Sequence, residues 1–224
     1  MYHAAYSISM TCIFALILAQ DNALTDEEKA AGWKLLFDGK SVDLWRGIKK
    51  KTAPDGWKAA DGALVRDGKG GDIISVDQYA NFEFSFEWKI SAGGNSGVMY
   101  RISEDAGAIG HEYQVLDNDK HADGKNALTR TGGAYALFAP LKDAALPAGQ
   151  WNKGRIVVDG NKVEHWLNGE KTADFEIGGE EWLKRVAASK FKNNAKFGRE
   201  AKGHLLLQDH GDKVEYRNLK IRPK

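Results

Sequence analysis

The sequence offers almost no covalent reinforcement, since it holds one cysteine and four prolines among 224 residues. A single cysteine cannot form a disulfide within the chain, and it cannot build the thiolate clusters that hold structural zinc. Cys12 also lies in the apolar segment before residue 20, which we expect to be removed. The mature protein would then contain no cysteine, so its fold must be held by its hydrophobic core alone.

Net charge and cofactor motifs are lacking as well. The chain carries 32 basic and 31 acidic residues, too even a balance for the broad positive surface that neutralises the phosphates of DNA or RNA. We therefore expect no nucleic-acid partner. There is no Rossmann fingerprint, P-loop or GxSxG motif, so we expect no nicotinamide cofactor.

Metal-binding motifs are also missing. HExxH is absent, and the segment DNDKHAD offers oxygen ligands without the spacing of an EF-hand. We therefore predict no metal site. Four side chains of that segment leave a divalent cation as an open alternative: Asp117, Asp119, His121 and Asp123.

The one clear apolar run is near the start of the chain. It covers residues 8–19, too short to span a bilayer but long enough for the hydrophobic part of a secretory signal. We predict a signal peptide over residues 1–20, export to the periplasm or the cell exterior, and no membrane span in the mature chain. The segment before the run has His3 but no Lys or Arg. A hydrophobic end without export is the alternative.

Residues 21–32 are predicted to form a short N-terminal helix and linker. Thr25 and Glu28 have the spacing of a capping box, and Gly32 would end the helix. The pattern then changes to short alternating segments separated by Gly, Asn and Asp, which is typical of an all-β sandwich. We predict one such domain over residues 33–224.

The clearest strand is NFEFSFEWKI, residues 81–90, in which apolar and polar residues alternate strictly. Residues 155–171 predict two further strands joined by a tight turn, with a second turn at Asn-Gly. The last strand, VEYRNLKI, needs a β-bulge near Arg217 or Asn218 to return all its apolar residues to the core. Only residues 180–192 look helical, and we place this short helix in a long loop.

The segment HEYQVL predicts a strand with an unusual polar face. Its alternation sends Tyr113 and Val115 to the core, and it sends Glu112, Gln114 and Leu116 to the opposite face. A solvated strand face is the plain alternative. A leucine among these polar groups is more typical of a concave surface that holds the apolar side of a ligand.

The segment HLLLQDHG predicts a second strand with an amide and an imidazole on one side. Leu206, Gln208 and His210 share that face. Histidine is the side chain best matched to proton transfer near neutral pH, although a lone histidine is more often structural. Two strands that each offer a long amide and an ionisable group are a better signal than either alone.

Two basic residues are further candidates. Arg101, in GGNSGVMYR, could pair with Glu112 on a neighbouring strand or reach a ligand oxygen, and the ion pair is the simpler interpretation. Lys190 lies at the end of the predicted helix, and a plain surface lysine is the alternative for it, because most lysines lie on the surface.

Eight blocks occur along the chain in this order: LFDGKSVDLWRG, GWKAADGALV, GGNSGVMYR, GHEYQVLDN, TGGAYALFAP, WNKGRIVVDGNKVEHWLNG, SKF and GHLLLQDHGDKVEYRNLKIRP. Together they closely resemble the 3-keto-disaccharide hydrolase family, over about residues 33–223. The resemblance implies a concanavalin A-like jelly roll of two antiparallel sheets with a concave surface that faces carbohydrate. It also implies an exported bacterial enzyme that acts on sugars oxidised at C3.

The resemblance also supplies candidate residues. The polar motif positions of the family correspond here to Asn95, Ser96, Arg101, Glu112, Gln114, Asp117, Tyr135, Lys190, Gln208, His210 and Arg217. We predict three of them as catalytic: Glu112, His210 and Lys190. We predict six as substrate-binding: Arg101, Gln114, Gln208, Asn95, Tyr135 and Asp117. A separate sugar 3-dehydrogenase would supply the oxidised sugar.

The strand that carries Glu112 lacks the acid pair of glucanases that share this architecture, because Gln114 replaces the central carboxylate of their E-x-D-x-E pattern. A retaining glycosidase needs two carboxyl groups roughly 5 Å apart. A carbonyl at C3 relaxes this need, since it acidifies the hydrogen on C2 and allows elimination of the aglycone from C1. We predict Glu112 or His210 as base or acid. Lys190 or Arg101 would stabilise the enolate oxygen.

Two other classes of function stay open. The same architecture serves lectins, so a carbohydrate-binding module without catalysis is one alternative. An ordinary glycosidase that cleaves an unoxidised sugar is the other.

Overall fold

The computed structural model of the chain describes residues 20–105 and 107–224. The predicted signal peptide lies outside the described residues, except for Gln20. The described residues form thirteen strands: β1 (Lys34–Leu35), β2 (Trp45–Gly47), β3 (Trp57–Ala60), β4 (Ala63–Arg66), β5 (Ile73–Tyr79), β6 (Phe82–Ile90), β7 (Asn95–Ile102), β8 (His111–Leu116), β9 (Asn152–Asp159), β10 (Lys162–Leu167), β11 (Glu170–Glu176), β12 (Gly203–Leu207) and β13 (Val214–Pro223). They also form two α-helices: α1 (Asp26–Ala30) and α2 (Glu180–Ala188).

The strands pair into two antiparallel sheets, which confirms the predicted all-β jelly-roll sandwich. The larger sheet has the order β11-β10-β9-β6-β13-β4-β3, with β1 paired to β13 beside this row. The smaller sheet has the order β2-β5-β12-β7-β8. Neighbours such as β6 and β13, or β7 and β12, are far apart in sequence. Any site on a sheet face is therefore assembled from separate segments.

Alternation decides which face of each strand enters the core. All five apolar side chains of β6 are buried, as predicted, between polar neighbours on the other face. The rings of Phe84 and Phe86 stack with their centres 5.0 Å apart. The rings of Phe86 and Tyr113, which is in the smaller sheet, form an edge-to-face pair with their centres 5.2 Å apart. Such pairs contribute about 0.5–1.5 kcal/mol beyond the area that they bury. The two sheets meet through large aromatic side chains.

Two predicted backbone features are confirmed. Strands β9, β10 and β11 form a meander whose second turn holds Asn168 and Gly169 at positive φ, 50° and 87°. In β13 the register against β6 shifts between Arg217 and Lys220, and Asn218 has a φ of 52°. This bulge lets the apolar residues on both sides of it point into the core.

Both predicted helices are present. Thr25 caps α1 by accepting a hydrogen bond from the backbone N–H of Glu28, whose carboxylate accepts one from the N–H of Thr25. Helix α2 ends at Ala188, before the predicted end at residue 192. Within the described residues, neither helix combines the length and apolar character needed to cross a membrane.

Helix α2 connects the edge of one sheet to the edge of the other. It follows β11, the edge strand of the larger sheet, and its Trp182 is buried. The indole Nε1 donates a hydrogen bond of 2.9 Å to Nε2 of His111 on β8, the edge strand of the smaller sheet. Burial lowers the pKa of His111 to about 3, so the ring is neutral and can accept this bond. The segment that follows α2 is thereby held beside β8.

Candidate active site

A cavity of about 180 Å³ lies on the outer face of the smaller sheet, where β12, β7 and β8 are neighbours. Five separate segments line it, and their residues are Asn95, Met99, Ala108, Ile109, Gly110, Glu112, Gln114, Tyr135, Lys190, Phe191, Gln208 and His210. Seven of the nine residues predicted for the site are in this set. Glu112 and Gln114 of β8 therefore line the same cavity as Gln208 and His210, which follow β12.

The alternation of β7 and β8 produces this arrangement. In β8, Tyr113 enters the core, so Glu112 and Gln114 on either side of it turn to the cavity. In β7 the same alternation brings Asn95 and Met99 to the cavity. Four side chains from two strands thus line the cavity on one face of the sheet, because the alternate side chains on the other face are buried in the core.

The face of β7 and β8 that carries Asn95, Glu112 and Gln114 forms the floor of the cavity. Gly97, between Asn95 and Met99, leaves room for the Glu112 carboxyl group because it has no side chain. It pairs with Gln114 in the register of β7 and β8, and its carbonyl accepts a 3.0 Å hydrogen bond from the backbone N–H of Gln208. The carboxyl group of Glu112 lies against it, since a Cβ added at residue 97 would be 2.3 Å from Glu112 Oε1. Glycine inside a strand often marks such a close approach.

The carboxyl group of Glu112 is buried and its ionised form is disfavoured. Burial raises the pKa of Glu112 to about 8, against the opposing charge of Lys190. The carboxylates of Asp72 and Asp123 add to the rise. At neutral pH the protonated form predominates, so this group is suited to donate a proton. Strongly perturbed carboxyl groups in clefts are typical of functional sites.

Lys190 and Phe191 contribute a wall from the segment after α2. The Lys190 ammonium lies 4.2 Å from the ring centre of Tyr135, a cation–π contact. The backbone N–H of Tyr135 donates a 3.0 Å hydrogen bond to the carbonyl of Glu112. Phe191 stacks on the buried Phe197 with ring centres 4.0 Å apart. Both ends of this wall are thus tied to the sandwich.

Gln208 and His210 line the opposite side of the cavity from a loop. Strand β12 ends at Leu207, so the prediction of one strand through His210 is wrong. Asp209, between the two lining residues, forms an ion pair of 2.5 Å with Arg66 of β4, and both side chains are at most 8% exposed. Removing one partner of a buried pair is strongly destabilising, so this contact fixes the loop in place.

The structure corrects the prediction for Arg101. The residue has a φ of 53°, which breaks the alternation after Met99. Its guanidinium donates to the carbonyls of Ala80 at 2.9 Å and Gly160 at 2.7 Å. It does not line the cavity, and the expected ion pair with Glu112 is not formed. Arg101 joins the turn after β5 to the turn after β9, so its guanidinium is not available as the enolate-stabilising cation.

The structure also corrects the prediction for Asp117. Its carboxylate accepts hydrogen bonds from the backbone N–H groups of Gly93 at 2.7 Å and Asp119 at 3.0 Å, away from the cavity. His121 Nδ1 accepts from the N–H of Asp123 at 3.1 Å. These groups shape a turn, and in residues 20–105 and 107–224 no three His, Cys, Asp or Glu side chains are grouped to hold a metal ion.

Two further motif positions also lie outside the cavity. Ser96 faces the interior, where its hydroxyl donates a 2.8 Å hydrogen bond to the carbonyl of Gln208. Arg217 forms ion pairs with Glu87 and Asp21 on the outer face of the larger sheet. Ser96 supports the loop after β12, and Arg217 is part of a surface ionic network.

Five lining residues were not predicted from the sequence: Met99, Ala108, Ile109, Gly110 and Phe191. The contact of Gly97 with Glu112 was not predicted either. Gly97 and Met99 had a readable signal, because they share the parity of Asn95 and a glycine inside a strand marks close approach. Ile109 and Phe191 lie in loops, which have no periodic pattern that could place them at the cavity.

Comparisons with known proteins agree with the architecture. The sequence model of the 3-keto-α-glucoside-1,2-lyase-like domain family matches residues 32–222. A protein from Bacteroides thetaiotaomicron, named 3-keto-disaccharide hydrolase, is 32% identical over an alignment that covers 98% of this chain and 88% of that protein.

Solved structures agree as well. A crystal structure from Parabacteroides distasonis, provisionally named a glycosyl hydrolase, gives a TM-score of 0.85 at 37% identity and covers 92% of this chain and 100% of its own. A carbohydrate-binding module from Bacillus subtilis gives a TM-score of 0.50 at 13% identity, covering 79% of this chain and 94% of its own. The similarity to the carbohydrate-binding module is a similarity of fold alone.

Gly97→Ala should displace the carboxyl group of Glu112, because the new methyl group would overlap Oε1. We expect the pKa of Glu112, followed by carboxyl ¹³C NMR, to fall from about 8 towards that of an exposed glutamate. Overpacking should also lower the free energy of unfolding by about 1–3 kcal/mol. The control is Gly47→Ala, whose methyl group would meet only the exposed side chain of Lys50. An unchanged pKa in Gly97→Ala would contradict the close contact.

Glu112→Gln should become more stable than the parent protein as the pH rises. Because burial raises the pKa of Glu112 from 4.5 to about 8, the folded state holds a proton that the unfolded state releases. The stability from this group is complete below pH 4.5 and is lost between about pH 4.5 and 8. Relative to the parent protein, the free energy of unfolding of the variant, measured with urea, should rise by about 5 kcal/mol across this window. Glu176→Gln, at an exposed strand position, is the control and should show no such trend.

Proposed function

The chain belongs to the 3-keto-α-glucoside-1,2-lyase-like family, and we propose on this basis that it hydrolyses the glycosidic bond of 3-keto-disaccharides or 3-keto-glucosides. The single observation that carries the proposal is the buried carboxyl group of Glu112, with its raised pKa, beside a lysine and across the floor from a histidine. The name of the family and that of the Bacteroides relative support the substrate class.

The proposed reaction is an elimination followed by hydration. The C3 carbonyl acidifies the hydrogen on C2, and a base removes that proton. The electron pair forms the C1=C2 double bond, the bond from C1 to the aglycone oxygen breaks, and that oxygen takes a proton from an acid. Water then adds to C1 of the enone and a proton returns to C2. The sum is hydrolysis without an oxocarbenium ion.

Glu112 is proposed as the acid and His210 as the base. The raised pKa of Glu112 keeps its carboxyl protonated at neutral pH, as proton donation to the leaving oxygen requires. His210 follows β12, whereas Glu112 is on β8, with β7 between them. Two strand spacings put these segments on the order of 10 Å apart, enough for a sugar ring between acid and base.

Two charged side chains support these roles. Lys190 lines the cavity, and its positive charge opposes the rise in the pKa of Glu112, which supports a role for this charge in the site. It would stabilise the enolate oxygen as negative charge develops. Burial raises the pKa of Asp72, and the charge of His210 opposes that rise, which supports Asp72 as the group that stabilises the imidazolium formed after proton abstraction.

An ordinary acid-pair mechanism has less support. Among the described residues that line the cavity, Glu112 is the only carboxylic acid. A retaining or inverting glycosidase needs a second carboxyl group at a defined separation. The elimination route needs one base and one acid, which this set of side chains contains.

The proposal includes export and a supply of oxidised sugar by a separate sugar 3-dehydrogenase. The apolar run over residues 8–19 supports export, and the missing nicotinamide motif supports a separate oxidising enzyme. Mass spectrometry of the protein from its native cells should find an N-terminus near residue 21. An N-terminus that retains residues 1–20 would contradict export by this route.

Turnover of a 3-keto-glucoside in deuterated water should place deuterium at C2 of the product, because the C2 proton is lost and replaced. Mass spectrometry and NMR measure this directly, and an incubation without enzyme corrects for spontaneous exchange. Glu112→Gln should still exchange the C2 hydrogen of the substrate but lose at least 100-fold in cleavage. His210→Ala should lose both exchange and cleavage.

Three results would contradict this scheme. Cleavage without enzyme-dependent deuterium at C2 would exclude elimination. Full cleavage of a plain glucoside, with no oxidised sugar present, would indicate an ordinary glycosidase. Binding of 3-keto-glucoside without any turnover would indicate a carbohydrate-binding module.

A further inference from the structure

The cavity contains an unusual group of unpaired oxygens. In the part of the chain that the structure describes, eight buried side-chain polar atoms have no hydrogen-bond partner, and three of the eight are oxygens. All three are amide oxygens that line this cavity: Asn95 Oδ1, Gln114 Oε1 and Gln208 Oε1. The other five are nitrogens of residues outside the cavity lining. Buried acceptors are normally satisfied, so a cluster of three indicates something that the cavity receives.

The sheet holds these amides around Gly97. Gln114 donates from Nε2 to the carbonyl of Thr129 at 3.1 Å, so turning its amide over would bring two oxygens together. Its Oε1 is therefore fixed as an acceptor. Asn95 is only 3% exposed, and Gln208 is held through its backbone N–H by the carbonyl of Gly97. The acceptors thus come from β7, from β8 and from the loop after β12.

Resting on the function proposed above, we propose that the cavity floor recognises a neutral hexopyranosyl ring by accepting hydrogen bonds from its hydroxyl groups. The C3 carbonyl of the substrate then faces away from the floor, towards Lys190. Hydroxyl groups supply the hydrogens that the three amide oxygens of Asn95, Gln114 and Gln208 need. A carbonyl oxygen has no hydrogen, so it cannot satisfy them.

The chemistry of the ring matches the number of acceptors. A hexopyranoside oxidised at C3 keeps hydroxyl groups at C2, C4 and C6, one for each unpaired amide oxygen. The ammonium of Lys190 has donors only, so it complements the carbonyl oxygen that the floor rejects. A phosphate or carboxylate on the sugar would meet carbonyl oxygens and the carboxyl group of Glu112, so anionic sugars are disfavoured. The floor therefore selects against charge as well as for hydroxyl groups.

Binding of unoxidised probes tests this without requiring turnover. The probes are methyl α-D-glucopyranoside and analogues in which one hydroxyl group, at C2, C3, C4 or C6, is replaced by fluorine. Fluorine cannot donate, so titration calorimetry or ligand NMR should show about tenfold weaker binding for the C2, C4 and C6 analogues. The C3 analogue should bind within about threefold of the parent sugar.

The variant Gln208→Leu identifies the sugar hydroxyl group that contacts Gln208, because removing both partners of one hydrogen bond should weaken binding no more than removing one. This variant should bind the parent sugar about tenfold more weakly, and one of the three sensitive analogues should show no further loss. Gln208 is half-buried, so the change should leave the fold intact, which circular dichroism checks. Gln150→Leu, which changes an exposed amide outside the cavity, is the matched control and should bind as the parent protein does.

Several outcomes would overturn the proposal. One is equal affinity of the protein for all four fluorinated analogues. Another is a loss of binding free energy in Gln208→Leu that adds fully to the loss caused by each fluorine. A third is an affinity for methyl glucuronoside equal to the affinity for methyl glucoside. No binding of the parent sugar at its solubility limit would do the same. The probes are not oxidised, so selective binding can persist if cleavage of 3-keto-glucosides is never found. Conversely, the protein can cleave 3-keto-glucosides even if its affinity for the fluorinated analogues does not depend on which hydroxyl group is replaced.

Discussion

The carboxyl group of Glu112 lies where a side chain of residue 97 would be, and this contact organises the site. Because Gly97 has no Cβ, the carboxyl group can fold over β7 and leave solvent, which raises its pKa to about 8. Gly97 is also held on both sides, since it pairs with Gln114 of β8 and its carbonyl accepts a hydrogen bond from the backbone N–H of Gln208. The missing Cβ in β7 thus makes room for an acid that stays protonated at neutral pH.

The walls of the cavity depend on contacts that cross from one sheet to the other. Arg66 of the larger sheet pairs with Asp209 and holds the loop after β12. Trp182, in the helix that follows the edge of the larger sheet, donates to His111 of the smaller one and holds the segment of Lys190. Each contact is buried, so losing either partner leaves an unpaired polar group in the interior. The sandwich therefore acts as a rigid support for residues that lie in loops.

Local features of the fold could be read from the sequence with little loss. The alternation in β6, the bulge after Arg217, the Asn168-Gly169 turn and the capping box of α1 are each set by neighbours within a few residues. The site could be predicted in part, because the parity of β8 already sends Glu112 and Gln114 to one face. The same rule gave a wrong prediction for Arg101, because its positive φ interrupts the alternation and turns the guanidinium to carbonyls in the turns after β5 and β9.

By itself the sequence determined which face of strands such as β6 and β8 is apolar, and that Glu112 and Gln114 share a side. These are properties of a two-residue period, and they need no knowledge of neighbours in space. Only the tertiary structure decided that β7 lies between β8 and β12, that the Glu112 carboxyl group lies against Gly97, and that Lys190 and His210 line the same cavity. Strand order and loop position depend on pairing between segments far apart along the chain. The raised pKa follows from them, because it comes from burial by residues that only the fold brings together.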